Sequence, residues 1–85
     1  MHETLKKLCE KHKDVRLVKQ DSYEAGNCEE GTRNFIEEYF PNRRVLRVSE
    51  LIPFIEQSRA VRSVIIYKLR PLEKSEHMET AIHES

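Results

Sequence analysis

Both glycines of this chain lie in one short stretch, "DSYEAGNCEEGT", which runs from Asp21 to Thr32. Glycine reaches a positive φ angle at no steric cost, so Gly26 predicts a tight turn. Asn27 follows, and Glu30 stands three residues later, which is the spacing of a helix capping box. Glu29 and Glu30 also suit the positive end of a helix dipole. The stretch therefore predicts a turn that leads into a helix capped by Asn27.

The predicted helix continues to about Tyr39, because Pro41 supplies no N–H and disfavours helix in the residue before it. Its less polar face contains Cys28, Thr32, Phe35, Ile36, Tyr39 and Phe40. Gly31 lies on the same face, where glycine costs about 1 kcal/mol relative to alanine. We expect the close approach of another backbone to offset that cost.

The preceding and following segments predict one more helix and a small ribbon. Residues 3–13 carry their less polar side chains at helical spacing, which places Leu5, Leu8, Cys9 and His12 on one face. Two short segments rich in β-branched residues, 15–19 and 44–48, predict a two-stranded ribbon. Ser49 is expected to cap a short helix over "ELIPFIEQ", which Pro53 would interrupt.

Residues 58–70 fit two patterns. In a helix capped by Ser58, one face would contain Val61, Val64, Ile65 and Leu69. In a strand, one face would contain Val61, Ser63, Ile65, Tyr67 and Leu69. We favour the helix, because the run is long and begins with a cap. The predicted fold is mainly α, one small domain of three to four short helices with the ribbon. The alternative is an α+β domain in which residues 61–69 form a strand.

Length and polarity set the boundaries. The 85 residues make one domain. We expect the globular part to span residues 1–72 and the acidic, polar residues 73–85 to form a disordered tail. The longest apolar run is far shorter than the roughly 20 residues of a membrane span. The N-terminus also lacks the apolar core of a signal peptide. These features predict a cytoplasmic protein with reduced thiols and no membrane partner.

Charge is distributed unevenly, although the chain has 15 basic and 15 acidic residues. Residues 33–70 contain eight Lys or Arg and four Asp or Glu, a balance of +4. Five arginines of this region are the predicted binding residues: Arg43, Arg44, Arg47, Arg59 and Arg62. They predict that the Arg-rich region of residues 43–70 contacts an acidic protein surface or a larger host chain. Nucleic acid is the alternative partner, although its binding domains usually carry a stronger basic bias.

Cys28 is the candidate for catalysis. The free N–H groups of a helix N-terminus stabilise a thiolate, so Cys28 could serve a cysteine-dependent enzyme or a redox sensor. Glu29 and Glu30 act in the opposite direction, because nearby carboxylates raise the pKa of a thiol. We therefore treat this activity as an alternative function.

Zinc is the metal that the sequence brings into question. Cys9, His12 and Cys28 could supply three ligands, and His77 or His83 a fourth. Helical spacing already accounts for Cys9 and His12 as residues of one helix face. No metal site and no cofactor are therefore predicted.

The glycine stretch also resembles a known motif. The pattern is Asp21-Ser22-x-x-Ala25-Gly26-Asn27-Cys28-x-x-Gly31-Thr32-x-x-Phe35, and it is similar to a motif of small bacterial and phage domains of uncharacterised function. The resemblance covers about residues 15–40 well and, more loosely, the segments "SELIPF" and "AVRSVI". It implies a linker turn into a helix, with Gly26, Asn27, Cys28, Glu30, Gly31 and Thr32 in structural roles. Together with the arginines, it leads us to expect a non-enzymatic binding module of a bacterial or phage protein.

Overall fold

The computed structural model describes the backbone of residues 2–84 and the side chains of residues 2–73. In chain order the elements are α1 (Glu3–Lys11), β1 (Arg16–Leu17), α2 (Lys19–Glu24), α3 (Glu29–Tyr39), β2 (Leu46–Arg47), α4 (Val48–Leu51), a 3₁₀ turn (Ile52–Phe54) and α5 (Arg59–Glu84). The predicted mainly α domain with a two-stranded ribbon is confirmed.

Helix α5 supplies the centre of the hydrophobic core. It buries Val61, Val64, Ile65 and Leu69, which recur at helical spacing. Ser58 caps it as predicted, since its Oγ accepts a hydrogen bond from the Val61 N–H at 3.2 Å. The alternative strand over residues 61–69 is therefore wrong. The other core members come from four elements and the turn after the 3₁₀ segment: Cys9, Leu17, Leu46, Val48, Leu51 and Ile55.

The ribbon is antiparallel and shorter than predicted. Arg16 pairs with Arg47, and Leu17 pairs with Leu46. Successive side chains of a strand point to opposite faces, so both leucines enter the core while both arginines are exposed. Lys19, which the sequence assigned to the extended segment, instead begins α2.

Helix α2 occupies the start of the glycine stretch, where a turn was expected. Its one buried residue is Asp21, whose carboxylate accepts the Val18 N–H at 2.8 Å and the Lys68 ammonium at 3.2 Å. The Tyr67 hydroxyl donates to Glu24 at 2.7 Å. These contacts join α2 to α5. The turn itself comes later, at Gly26, whose φ is 99° as expected for glycine in a left-handed turn.

Cys28, and not Asn27, caps α3. The Cys28 backbone is extended, and its Sγ accepts the Gly31 N–H at 3.2 Å. The expected capping box is absent because the Asn27 N–H is already donated to the Ser22 carbonyl at 3.0 Å, which leaves Glu30 no donor to reach. The C-terminal end of the helix, at Tyr39, is as predicted.

Helix α4 also begins at a different residue than predicted. Its N-cap is Arg47, whose backbone N–H donates to the Glu50 carboxylate at 2.8 Å, so the assignment of the cap to Ser49 is wrong. The interruption at Pro53 is confirmed, because the chain changes there to the 3₁₀ turn.

Helix α5 continues through Pro71 to Glu84. Near Pro71 the Glu73 carboxylate lies 3.2 Å from the Lys11 ammonium and 3.5 Å from the His12 Nε2, which joins this part of α5 to the end of α1. The side chains after residue 73 lie outside the described part of the chain, so the disordered acidic tail stays a prediction. Across the described residues, none of the helices has the length and apolar character needed to cross a membrane.

Candidate functional site

An open apolar groove of about 290 Å³ lies between α3 and the core; we call it the motif groove. Its floor consists of five core residues, Leu17, Leu46, Leu51, Val61 and Val64. Six residues of the sequence motif line its walls: Ser22, Asn27, Cys28, Gly31, Thr32 and Phe35. Six of the nine residues named in the pattern of the glycine stretch therefore border this groove.

The groove exists because α3 packs on the domain without burying any residue completely. Near its N-terminus, the Thr32 hydroxyl lies 2.7 Å from that of Ser22. Near its C-terminus, the Tyr39 ring lies 4.8 Å from the Phe54 ring, between centroids. Phe35, midway along the helix, is half-buried. Phe35 packs against the core and its ring lies 5.1 Å from that of Phe54, between centroids, and the motif groove is the space that remains beside it.

The polar groups of the groove form one network. The Asn27 Nδ2 donates to the Ser22 Oγ at 3.1 Å and to the Ala60 carbonyl at 3.0 Å. Ser22 and Thr32 share a single hydrogen bond, so one of their two hydroxyl hydrogens remains available as a donor. Asn27 thus fixes the turn before α3 to the first turn of α5. This contact, and not a helix cap, is the role that the structure gives to Asn27.

Gly31 also has a different environment from the one predicted. It is exposed, and no second backbone lies against it; a Cβ at this position would meet the Cys28 Sγ at 3.0 Å. Any residue other than glycine at position 31 would place its Cβ against the cap sulfur, which would then have to shift. The glycine therefore accompanies the cysteine cap.

The two cysteines differ in exposure. Cys28 is exposed at the edge of the motif groove, and Cys9 is completely buried. Burial, with a smaller contribution from the charge of Glu10, raises the pKa of the Cys9 thiol to about 11, so Cys9 is a protonated core residue at neutral pH. Within residues 2–73, no three His, Cys, Asp or Glu side chains converge on a point suitable for a metal ion. The His77 and His83 side chains lie outside that range.

Two of the five predicted binding arginines make contacts within the domain. The Arg43 guanidinium lies 2.9 Å from the Glu50 carboxylate, and it also donates to the Val45 carbonyl. Arg62 donates to the Ile55 carbonyl at 2.7 Å and to the Glu56 carbonyl at 3.3 Å. Both side chains thus stabilise the segment that connects the ribbon to α5.

The arginines do not share one surface. Arg59 and Arg62 line a second, shallower groove between α1 and α5, and the other three do not. Arg44 is exposed after α3, and Arg47 stands opposite Arg16 on the outer face of the ribbon. We call the second groove the basic face; its apolar members are Leu5, Leu8 and Ile66.

Some site residues were missed in the sequence. Lys19 lines the motif groove, and no local signal in the sequence indicated that it does. Ile66 belongs to the basic face, where a signal did exist, since residues 57–72 contain no Asp or Glu.

Comparison with known proteins yields no matching family model, no matching curated protein and no matching solved structure. The likeness of the glycine stretch to bacterial and phage domains accordingly stays a prediction.

Proposed function

We propose that the protein is a non-enzymatic interaction module, of bacterial or phage type, that binds an acidic protein surface through the basic face. The observation that carries this proposal is an exposed isoleucine, Ile66, in the part of α5 between residues 59 and 72, where every charged side chain is positive. The predicted Arg-rich region of residues 43–70 is thereby narrowed to its part on α5.

The charge of α5 favours an acidic partner. Residues 57–72 contain Arg59, Arg62, Lys68 and Arg70, and no Asp or Glu. Lys68 is paired with Asp21, but Arg59 and Arg70 make no salt bridge with any described carboxylate. Complementary charge across an interface steers association and selects the partner. The unbalanced arginines therefore favour a carboxylate-bearing surface.

The apolar side chains favour a protein as that partner. Ile66 is 41% exposed, and it lies in the same groove as the half-buried Leu5 and Leu8. Protein interfaces commonly place apolar anchors at the centre and polar or charged groups at the rim, with arginine enriched. Arg59 and Arg62 have that arrangement around Ile66. Nucleic acid would leave the apolar centre without a contact.

Nucleic acid remains the second candidate, and a different surface favours it. Arg16 and Arg47 are directly opposite each other on the exposed face of the ribbon. Like charges in a cross-strand pair are destabilising, and a phosphate between them would remove the repulsion. This candidate predicts binding at the ribbon instead of at α5.

The experiment is capture from an extract of the native host, followed by binding measurements with the purified captured protein. Arg59→Glu and Ile66→Asp should each weaken binding by about tenfold or more, since Ile66 is the apolar centre of the proposed interface and a reversed charge at Arg59 would repel the acidic partner. Arg33→Glu, an exposed arginine of α3, is the matched control and should bind as the unmodified chain does. Equal affinity for all four proteins would contradict the proposal.

A second arm of the same experiment tests nucleic acid. Binding to random-sequence DNA is measured against salt, because neutralised phosphates release counterions and give a steep dependence. We expect no such binding. A steep salt dependence that Arg16→Ala and Arg47→Ala abolish would replace the acidic-protein proposal with the nucleic-acid one.

A further inference from the structure

We infer that the motif groove is a binding site for a small amphiphile that has one apolar chain and a carboxylate head group. This inference is independent of the interaction proposed for the basic face. The two sites lie on different sides of the first turns of α5. Ala60, Val61 and Val64 line the motif groove, whereas Arg59 and Ile66 line the basic face.

The size of the groove indicates the size of the ligand. A dry cavity of ~150 Å³ holds one benzene molecule. The motif groove encloses about 290 Å³, close to the lower limit of small-molecule sites. Twice the benzene cavity corresponds to ~12 non-hydrogen atoms. That is the number of atoms in a single medium-length alkyl chain with its head group. A folded protein partner would instead need an interface of about 800 Å² on this chain, much more than the groove offers.

The floor indicates the apolar part of the ligand. Half of the ten buried hydrophobic residues of the described chain line the groove, so a ligand there would contact the core itself. Opposite them, Phe35 and Ile36 of α3 are only half-buried. An alkyl chain between the two surfaces would remove both from water, at about 25 cal/mol for each Å² of apolar area covered.

The rim indicates the head group. Lys19 is the one charged side chain among the described residues that line the groove, and no carboxylate lines it. The Ser22–Thr32 pair adds one available hydroxyl donor. A cation and a hydroxyl donor at the edge of an apolar groove complement a carboxylate, which accepts hydrogen bonds only. An ammonium or a neutral alkane would lack this match.

The test is titration of the full chain with a series of straight-chain carboxylates from six to sixteen carbons, each below its micelle concentration. Amide chemical shifts are followed by NMR. We expect affinity to be highest near ~10 carbons, since the length is set by the groove volume. Shifts should be confined to residues around the groove, such as Ser22, Thr32, Phe35 and Val64. Absence of binding across the series, or affinity that simply rises with chain length, would overturn the inference.

The head group is tested by comparing each carboxylate with the alcohol of equal length. The unmodified chain should prefer the carboxylate by about tenfold, the effect of one charge-assisted contact. Lys19→Met should remove that preference, and Lys13→Met, an exposed lysine outside the groove, should retain it. Equal preference in both variants would show that Lys19 does not bind the head group and would overturn the assignment.

The position is tested by filling the groove. Ala60→Phe places a ring at its exposed edge and should abolish carboxylate binding. Leu72→Phe, at an exposed position of the same helix outside both grooves, is the matched control and should bind normally. Thermal unfolding of both variants checks the fold. Unchanged carboxylate binding by a folded Ala60→Phe chain would place the ligand elsewhere and contradict the inference. Binding of an acidic protein by that chain would still support the function proposed for the basic face.

Discussion

Helices α3 and α5 have the same kind of sequence pattern but different positions in the domain. Each repeats less polar residues at a spacing of three and four. Helix α5 buries four of these residues, two of them with no exposed surface, whereas α3 buries none completely. The spacing of apolar residues along a helix therefore predicts which face turns inward. It does not predict how deeply that face is buried.

The residues on each face account for the difference. The inner face of α5 has Val, Ile and Leu side chains, which are buried where the helix packs against α1 and α2. The inner face of α3 begins with Gly31 and Thr32, whose small side chains cannot reach the core. Two of its larger residues, Phe35 and Phe40, pack against the core as partly buried side chains and, with Tyr39, form an aromatic cluster around Phe54. Helix α5 thus organises the core, and α3 encloses the motif groove.

The largest expected effect is a contrast between two isoleucine substitutions. Ile65→Ala in α5 removes a fully buried side chain and should lower the free energy of unfolding by about 2–5 kcal/mol. Ile36→Ala in α3 removes a half-buried side chain beside an open groove and should cost about 1 kcal/mol. Urea unfolding measures both. Equal costs would mean that α3 packs as tightly as α5.

A smaller effect is expected where α3 is attached to α5. Asn27→Ala removes hydrogen bonds to the Ser22 hydroxyl and the Ala60 carbonyl and should cost about 1–2 kcal/mol. Asn27→Asp distinguishes this role from capping, because an aspartate caps well but cannot donate. We expect Asn27→Asp to be at least as destabilising as Asn27→Ala. If Asn27→Asp kept the stability of the unmodified chain, Asn27 would act as a cap after all. The control is Asn34→Ala, at an exposed position of α3, which should not show this loss of stability.

An acid-dependent effect is expected beside the core and not on α3. The Arg47 backbone N–H, and then the Arg43 guanidinium, hold the pKa of Glu50 below its ordinary value of 4.5. A carboxyl with a lowered pKa stabilises the fold above its unfolded pKa, and this contribution is lost as the pH falls through the folded pKa. Glu50→Gln should therefore cost up to about 1 kcal/mol at pH 6, reduced by solvent screening, and less as the pH falls below 4.5. A cost independent of pH would contradict the ionic contribution.

The control for that experiment is Glu37→Gln on the exposed surface of α3, where substitution should change stability by less than about 0.5 kcal/mol at either pH.

The last prediction concerns the reactivity of the two thiols and changes stability least. It compares Cys28, at the start of α3, with Cys9, in the core. Cys28 is exposed, and Cys9 is buried with its pKa raised to about 11. A thiol reagent at neutral pH should modify Cys28 and leave Cys9 unmodified until the chain unfolds. Mass spectrometry of digested protein identifies the site. Equal modification of both thiols in folded protein would show that α1 does not cover Cys9.

The helices α1, α3 and α5 and the ribbon could be predicted because each has a local signal in its own residues. A hydrophobic period defines the helices, Ser58 begins α5, and Pro41 follows the end of α3. Helix α2 has no such signal. Its six residues contain no apolar period, and its one buried residue is the carboxylate Asp21, whose partner Lys68 is 47 positions away.

The site was less predictable for the same reason. Asn27 and Cys28 are adjacent, and asparagine is the commoner cap in general. The structure assigns the cap to Cys28 because Asn27 is engaged by the Ala60 carbonyl, 33 positions away. The arginines formed one group in the sequence, but the fold separates Arg43 from Arg59 and uses the former to hold Glu50. The partner, the groove ligand and the bacterial or phage origin remain proposals.

Amide hydrogen exchange under native conditions tests the contrast between the two helices most directly. Completely buried segments exchange through global unfolding, whereas loosely packed ones also exchange through local opening. We predict that the amides of residues 64–69 in α5 exchange with the free energy of global unfolding. Amides of residues 33–36 in α3 should exchange about tenfold faster or more. Equal protection of the two helices would contradict the account, because α3 would then be part of the core.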